Sequence, residues 1–332
     1  MLKKTIDVIE FIPHKKNNTK VTSTVNNIPL KLKLNGTWSK KINHLRTQHE
    51  NNIKTEENET NNGYIIEADV NYEDFIKYAD GLLCDTKDRV FFINGSVLIY
   101  EFVTDIHEQT ASFIVGEIKY HNNNTRNSLN ISGASRITFN AGTAAIPNNV
   151  SYEPDQSIKP QNRVGPQANN TGLPFPTLVV EVGYSQSLQS LNTKALQYLN
   201  PNINIQMVIC VKIWNRCPNN TFRALMMFYR RGFAGTNPEQ IISFGTAPLH
   251  HETRNTINGW NLNANQLSGF GITVNGIPTP VCNQAGMALY TLQIPSADLY
   301  NGVAAGVPVC VPATIPLDLF DLQTLINRIP HF

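Results

Sequence analysis

The sequence has little charge and lacks a pattern of paired cysteines. Charged residues make up only 16% of its 332 residues, and the formal net charge is +2. A balance this close to zero gives no overall signal for a polyanionic partner. The five cysteines are odd in number and contain no Cys-x-x-Cys pair. This usage disfavours a disulfide framework or a zinc knuckle and favours a reducing compartment.

Long apolar runs are also missing. No uncharged apolar stretch reaches the roughly 18 residues that a membrane span requires. The apolar patch at residues 6–12 is short and contains Asp7 and Glu10, unlike a secretory signal. Apolar residues nevertheless make up 41% of the chain, enough for a sizeable core. We therefore expect an intracellular protein, cytoplasmic or nuclear, with no membrane partner.

Composition divides the chain into three parts. The first 60 residues hold 11 Lys or Arg against 6 Asp or Glu, and this region is rich in Asn. We expect residues 1–62 to be a basic, polar arm that is partly disordered and lies outside the core. A globular body is predicted for residues 63–235. The turn-rich residues 236–332 predict a β-containing extension packed on that body.

The body mixes strand and helix patterns. Asn94-Gly95 separates two strand-like runs and indicates a hairpin. Apolar spacing predicts a helix at 105–119. A continuous aliphatic strand at 177–182, a helix at 185–198 and a strand at 205–214 have the length of a parallel crossover unit. Further elements are predicted at 89–93, 97–102, 222–231, 289–294 and 318–329. The pattern predicts an α/β (α+β) fold with a central mixed sheet flanked by helices.

A carboxylate interrupts the most apolar strand. Glu181 follows Leu178-Val179-Val180 directly. A lone charge inside a buried strand is costly, so it needs a partner, a proton or a metal ion. The plain alternative is a glutamate at a strand end that reaches solvent where the chain bends at Gly183.

Two further residues complete a catalytic set with Glu181. Asp155 follows a strand-like stretch upstream, and Lys194 lies on the helix after the Glu181 strand. Two carboxylates can hold a hard cation such as Mg²⁺ or Mn²⁺. Such an ion lowers the pKa of a bound water, and a lysine can position that water or neutralise developing charge. The set suits metal-assisted hydrolysis of a phosphodiester.

These motifs resemble a known family. Pro154-Asp155, then residues 176–185 (Pro-Thr-Leu-Val-Val-Glu-Val-Gly-Tyr-Ser), then Lys194-Ala195 and Tyr198-Leu199 are similar to the Uma-type restriction endonuclease family. That family belongs to the PD-(D/E)XK nuclease superfamily. The version here looks like its divergent eukaryotic, fungal-like members. The resemblance covers about residues 64–215.

The resemblance implies a restriction-endonuclease-like core with Asp155 and Glu181 as metal ligands at one sheet edge. It further implies Mg²⁺ or Mn²⁺ as cofactor, Lys194 as a catalytic residue and DNA as partner. No small-molecule cofactor is expected, and a homodimer stays open. One departure is that Gly183 stands where the superfamily has its lysine, so Lys194 on the next helix would take that role.

The helix at 105–119 offers two secondary site candidates. Apolar residues follow His107 at helical spacing, at Ala111, Ile114 and Ile118, so His107 should face inward. Glu108 lies on the flank of the same face. In the superfamily this helix often supplies another acid, so one of the two could act within a water's reach of the acids. A hydrogen-bonded core histidine is the plain alternative.

Three functions stay open on the sequence. The first is a Mg²⁺-dependent endonuclease-like enzyme that hydrolyses phosphodiester bonds in DNA. The second is an inactive protein of the same fold that binds nucleic acid or protein. The third is a module for small molecules or carbohydrate built around residues 216–332, which only their turn-rich composition supports. Fold alone cannot choose between them.

Overall fold

The computed structural model describes most of the chain beyond residue 63 and a short helix before it. The described residues are 38, 40–48, 64–82, 90–99, 102, 104–123, 128–133, 135–140, 149–166, 168, 172–233, 237–263, 266–274 and 276–329. The helices are α1 (40–48), α2 (Tyr72–Leu82), α3 (Asp105–His121), α4 (Leu188–Tyr198), α5 (His251–Asn258), α6 (Ser296–Leu299) and α7 (Leu319–Arg328). None of these helices is both long enough and apolar enough to cross a bilayer.

The strands form two larger sheets and two two-stranded sheets. The strands are β1 (Tyr64–Glu67), β2 (Phe91–Ile93), β3 (Ser96–Ile99), β4 (Leu129–Gly133), β5 (Ile137–Asn140), β6 (Asn149–Tyr152), β7 (Gln156–Pro160), β8 (Leu178–Gly183), β9 (Met207–Ile213), β10 (Arg223–Arg230), β11 (Gln240–Gly245), β12 (Leu267–Gly269), β13 (Thr273–Val274), β14 (Ile277–Pro278), β15 (Thr291–Pro295) and β16 (Thr314–Asp318).

The larger sheet is mixed and has seven strands in the order β12-β11-β10-β9-β8-β7-β4. β8 and β9 run parallel, and α4 crosses between them. β10 then returns antiparallel to β9. This confirms the predicted crossover unit, the hairpin that follows it and the mixed sheet flanked by helices.

The smaller sheet is antiparallel and has five strands in the order β1-β3-β2-β6-β5. Its β2–β3 hairpin turns at Asn94 and Gly95, whose φ angles are 49° and 78°. These left-handed values match the turn that the Asn-Gly pair predicted. The chain leaves this sheet at the end of β6 and enters the larger sheet at β7, through residues 153–155.

The two faces of β8 pack against different layers. Val180 and Val182 belong to a cluster that includes Ile114 of α3. Val179 belongs to a second cluster with Leu191 of α4. Because side chains alternate along a strand, Glu181 shares the α4 face with Val179. The acid therefore points away from α3.

The C-terminal part is integral to this architecture. β11 pairs with β10 over six residues, and β12 extends the same sheet. Leu292 and Ile294 of β15 and Leu322 of α7 are buried in the cluster that contains Val180. The predicted extension thus packs on the body, but a boundary at 235 would cut a continuous sheet.

Part of the predicted arm is packed rather than free. Residues 40–48 form α1. The side chains of Trp38 and Ile42 are buried, with exposed fractions of only 1% and 2%. Both belong to a cluster with Phe75 and Phe92 of the smaller sheet layer. The expectation that all of 1–62 lies outside the core is therefore wrong for 38–48. The polar composition of the region hid two large apolar side chains. The remaining arm residues lie outside the described ones.

Candidate functional site: a buried glutamate, lysine and tyrosine beside Asp155

Glu181 lies inside the fold with both carboxylate oxygens engaged. Lys194 Nζ donates to Oε2 at 2.8 Å, and the Tyr198 hydroxyl donates to Oε1 at 2.6 Å. Both donors come from α4, four residues apart and hence on one helix face. Ser187 caps α4 by accepting from the Ser190 N–H at 3.2 Å, which fixes where the helix begins over the sheet.

Asp155 lies directly before β7, the strand that pairs with β8. β7 pairs antiparallel with β8, with Gln156 opposite Val180. The Val182 N–H donates to Asp155 Oδ2 at 2.5 Å, so the backbone of β8 orients the second acid. The structure thus brings together the two acids and the lysine that the sequence selected.

The smaller sheet covers this group. Lys194 Nζ lies 4.3 Å from the ring centroid of Phe91 and 5.8 Å from that of Tyr152. Stacking of a cation on aromatic faces is favourable, more so where water is excluded. Glu181 is only 2% exposed, and Asp155 and Lys194 are each 5% exposed. The pair is therefore a buried one, in which each charge depends on its partner.

Neighbouring groups keep their protons in this environment. Burial, reinforced by the Glu181 charge, raises the pKa of Tyr198 well above its usual range. The same two causes raise the pKa of the Cys210 thiol, which lies opposite Glu181 on β9. Tyr198 is therefore a neutral hydrogen-bond donor to the carboxylate and not a base. Tyr198 was assigned no site role from the sequence, although its position four residues after Lys194 was the available signal.

A second buried lysine lies further along the same face. Lys212 of β9 is opposite Gly183 in the register, two residues beyond the pair formed by Cys210 and Glu181. It is 4% exposed, and its Nζ donates to the Tyr184 carbonyl at 2.5 Å. It holds the chain where β8 ends, so among these contacts Lys194, not Lys212, is the lysine that meets the acid.

The two secondary candidates are not brought to Glu181. His107 is 2% exposed, which confirms its inward direction. Its Nδ1 accepts from the Thr104 N–H at 3.2 Å, and its ring lies edge-on to Tyr184 at 6.4 Å. Glu108 is exposed. Both lie on α3, across the sheet from Glu181, so the contacts of His107 match those of a hydrogen-bonded core histidine.

The donor set suits a hard cation only in part. Asp155 and Glu181 offer carboxylate oxygens, and Mg²⁺ is commonly held by one or two carboxylates with water and phosphate oxygens. Within the described ranges, no group of three or more His, Cys, Asp or Glu is positioned to hold a metal ion. A two-carboxylate site that leaves the other positions to water and substrate remains compatible with these residues.

Comparison with known proteins gives little beyond this geometry. No family model matches the chain, and no curated protein matches it. A solved structure from Anabaena variabilis, described as a "putative nuclease belonging to DUF820", is similar at 17% identity with a TM-score of 0.34. The likeness covers 53% of this chain and 90% of that one. A TM-score this low establishes no common fold.

Proposed function

We propose that this protein is a metal-dependent nuclease that hydrolyses phosphodiester bonds in DNA. The observation that carries the proposal is the arrangement around β8. Lys194 of α4 contacts Glu181, and the Val182 N–H, one residue further along β8, holds Asp155. Asp155 and Glu181 would hold Mg²⁺ or Mn²⁺. The bound ion would supply a Lewis acid for the phosphate and a water of lowered pKa.

The chain's own groups have separable roles in this proposal. Lys194 carries the positive charge that would offset the charge developing on the phosphate oxygens. Tyr198 fixes one oxygen of Glu181, and the Val182 N–H fixes one oxygen of Asp155. Side chains held by such contacts need little reorganisation during the reaction, which is how pre-positioned groups contribute to rate.

Burial favours a second candidate, an inactive protein that keeps the nuclease arrangement as a structural core. Both Glu181 oxygens already have donors, and aromatic rings of the smaller sheet cover Lys194. A duplex could reach Lys194 only if Phe91 and Tyr152 moved aside. In the inactive protein the three residues would stabilise the fold and bind no metal.

Cleavage of a supercoiled plasmid in Mg²⁺ or Mn²⁺ tests the first candidate. We expect nicking by the unmodified protein and a loss of about two orders of magnitude or more in Asp155→Asn and Glu181→Gln. Glu252→Gln, which removes an exposed carboxylate on α5, is the matched control and should cleave normally. Equal cleavage by all four proteins would refute the assignment, and no cleavage by any would favour the inactive candidate.

A further inference from the structure

One stretch of the chain carries almost all of its charge with one sign. Residues 156–238 contain eight Lys or Arg and a single acid, Glu181. This stretch runs from β7 through β10 and contributes the centre of the larger sheet. Because Glu181 forms an ion pair with Lys194, the other cations of the stretch have no acid within the stretch to pair with. Their partners must come from elsewhere or be absent.

Arg163 is one such cation, and it is buried at the end of the sheet where β8 begins. It is 6% exposed. Its guanidinium donates to two backbone carbonyls, those of Phe175 at 2.6 Å and Asn204 at 2.5 Å. Its Nε is buried and has no hydrogen-bond partner among the described residues. The two carbonyls accept hydrogen bonds from part of the guanidinium group, but because they are neutral they do not compensate its positive charge.

Arg231 converges on the same loop. Its Nε donates to the Ile205 carbonyl at 2.7 Å, one residue from the carbonyl that Arg163 uses. Its preceding neighbour shows the contrast. Arg230 pairs with Glu239 at 2.6 Å and approaches Asp298 at 3.8 Å. Acidic side chains therefore lie close to this part of the fold, but they pair with Arg230 and not with Arg231.

Lys159 of β7 lies directly before the turn in which the Arg163 N–H donates to the Pro160 carbonyl at 3.4 Å. It completes a group of three, which we name the basic end: Lys159, Arg163 and Arg231. Among the described residues, none of the three forms an ion pair with an acid. Burial and the Arg231 charge lower the pKa of Arg163 to about 10. Burial and the Arg163 charge lower the pKa of Lys159. The basic end is therefore a set of mutually repelling cations that a bound anion would stabilise.

We propose that the basic end is a binding site for phosphate oxyanions of a nucleic-acid backbone. Lys159 supplies a point charge for a phosphate oxygen. The guanidinium groups of Arg163 and Arg231 donate to backbone carbonyls, which leave their positive charge uncompensated, and that charge adds to the attraction. The site is distinct from the Glu181 group, because β8 separates Leu178 from Glu181 by three residues, about 10 Å. It does not rest on metal chemistry, so an inactive protein would have it too.

Binding of a short labelled DNA duplex, measured by anisotropy in EDTA, tests the proposal. Lys159→Gln combined with Arg231→Gln should weaken binding about tenfold or more. It should also lower the slope of log affinity against log salt by about two. Arg254→Gln, which removes an exposed charge on α5, should stay within about twofold of the unmodified protein. Arg163 is left intact because its buried side chain donates to two loop carbonyls.

Three further measurements make the test specific. Arg231→Lys should keep most of the affinity that Arg231→Gln loses; equal losses would show that loop structure, not charge, was responsible. Glu252→Gln, which removes an exposed carboxylate on α5 and belongs to neither site, should bind the duplex normally. Inorganic phosphate should raise the melting temperature of the unmodified protein but not of the double variant.

The phosphate and duplex results together identify the source of the ligand. Loss of both responses in the double variant supports a nucleic-acid backbone. Loss of the phosphate response alone would overturn the nucleic-acid source and leave free phosphate as the ligand. Retention of both responses by a double variant that folds normally by circular dichroism would overturn the site.

Discussion

The two ends of the central β8–β9 pair treat buried positive charge in opposite ways. At the Glu181 group, Lys194 has a carboxylate at 2.8 Å and aromatic rings above it. At the basic end, Arg163 and Arg231 have backbone carbonyls and each other. The first arrangement pairs its buried cation with an acid, whereas the second leaves net positive charge for an anionic ligand to neutralise.

Charged side chains are buried at both ends, so burial alone does not mark a functional site. A buried ion pair loses much of its Coulombic gain to desolvation, but removing one member leaves a lone charge and is severe. Removing a buried cation that is held by carbonyls leaves only neutral acceptors without a donor, which costs less than leaving a charge unpaired. The two ends should therefore respond unequally to substitution, and that inequality is measurable.

Lys194→Ala should give the largest effect. Alanine favours helix, yet the change leaves Glu181 charged, buried and without its cation, at a cost of about 3–5 kcal/mol. Urea unfolding would measure the loss. The double variant Glu181→Gln with Lys194→Met removes both charges and should recover most of it. A single variant as stable as the unmodified protein would break the contrast between the two ends.

Tyr198→Phe should give an intermediate effect. It removes one donor to a carboxylate, worth about 1.5–3 kcal/mol. Tyr229→Phe, which loses a neutral bond to Asn192 of 2.8 Å, is the matched control and should cost less. A loss no greater than that of the control would mean that the Tyr198 bond to Glu181 carries no special weight.

The same tyrosine predicts a pH dependence. Its pKa is raised in the fold, so ionisation favours the unfolded chain above about pH 10, the usual tyrosine pKa. Tyr198 should not affect the free energy of unfolding below that pH, and the free energy of unfolding should fall as the pH rises above it. The unfolding free energy of Tyr198→Phe should fall less steeply with pH above about pH 10, by the equivalent of up to one proton. Parallel curves for the two proteins would contradict the shift.

Arg163→Met should give the smallest effect despite the burial of Arg163. The change deprives two carbonyls of a donor but also relieves repulsion with Arg231, so the net cost should be about 1 kcal/mol. Urea unfolding beside Lys194→Ala gives the direct comparison. A loss as large as that of Lys194→Ala would show that the two ends are energetically alike.

The sequence was informative where local chemistry and burial agreed. The aliphatic run of β8 could only be a strand covered on both faces, and the α4 pattern placed Lys194 above it. Glu181 was conspicuous because a charge there demands a partner. Asp155 was selected from its place after the strand-like stretch that forms β6, whereas β7, with Lys159 and Pro160, does not have a strand-like composition and was not predicted.

Other features depended on contacts between distant segments. Trp38 and Ile42 are two apolar residues in a polar region, and only the cluster around Phe75 gives them a core. β4 is short and polar, and it is a strand because β7 pairs with it. The covering of Lys194 by Phe91 joins residues about a hundred positions apart, which no local pattern encodes.

Calorimetric titration with Mn²⁺ tests the central claim most directly, that Asp155 and Glu181 share a divalent cation. The proposed function predicts binding by the unmodified protein that disappears in Asp155→Asn and in Glu181→Gln and persists in Glu252→Gln. Equal binding by all four proteins, or none by the folded unmodified protein, would contradict it.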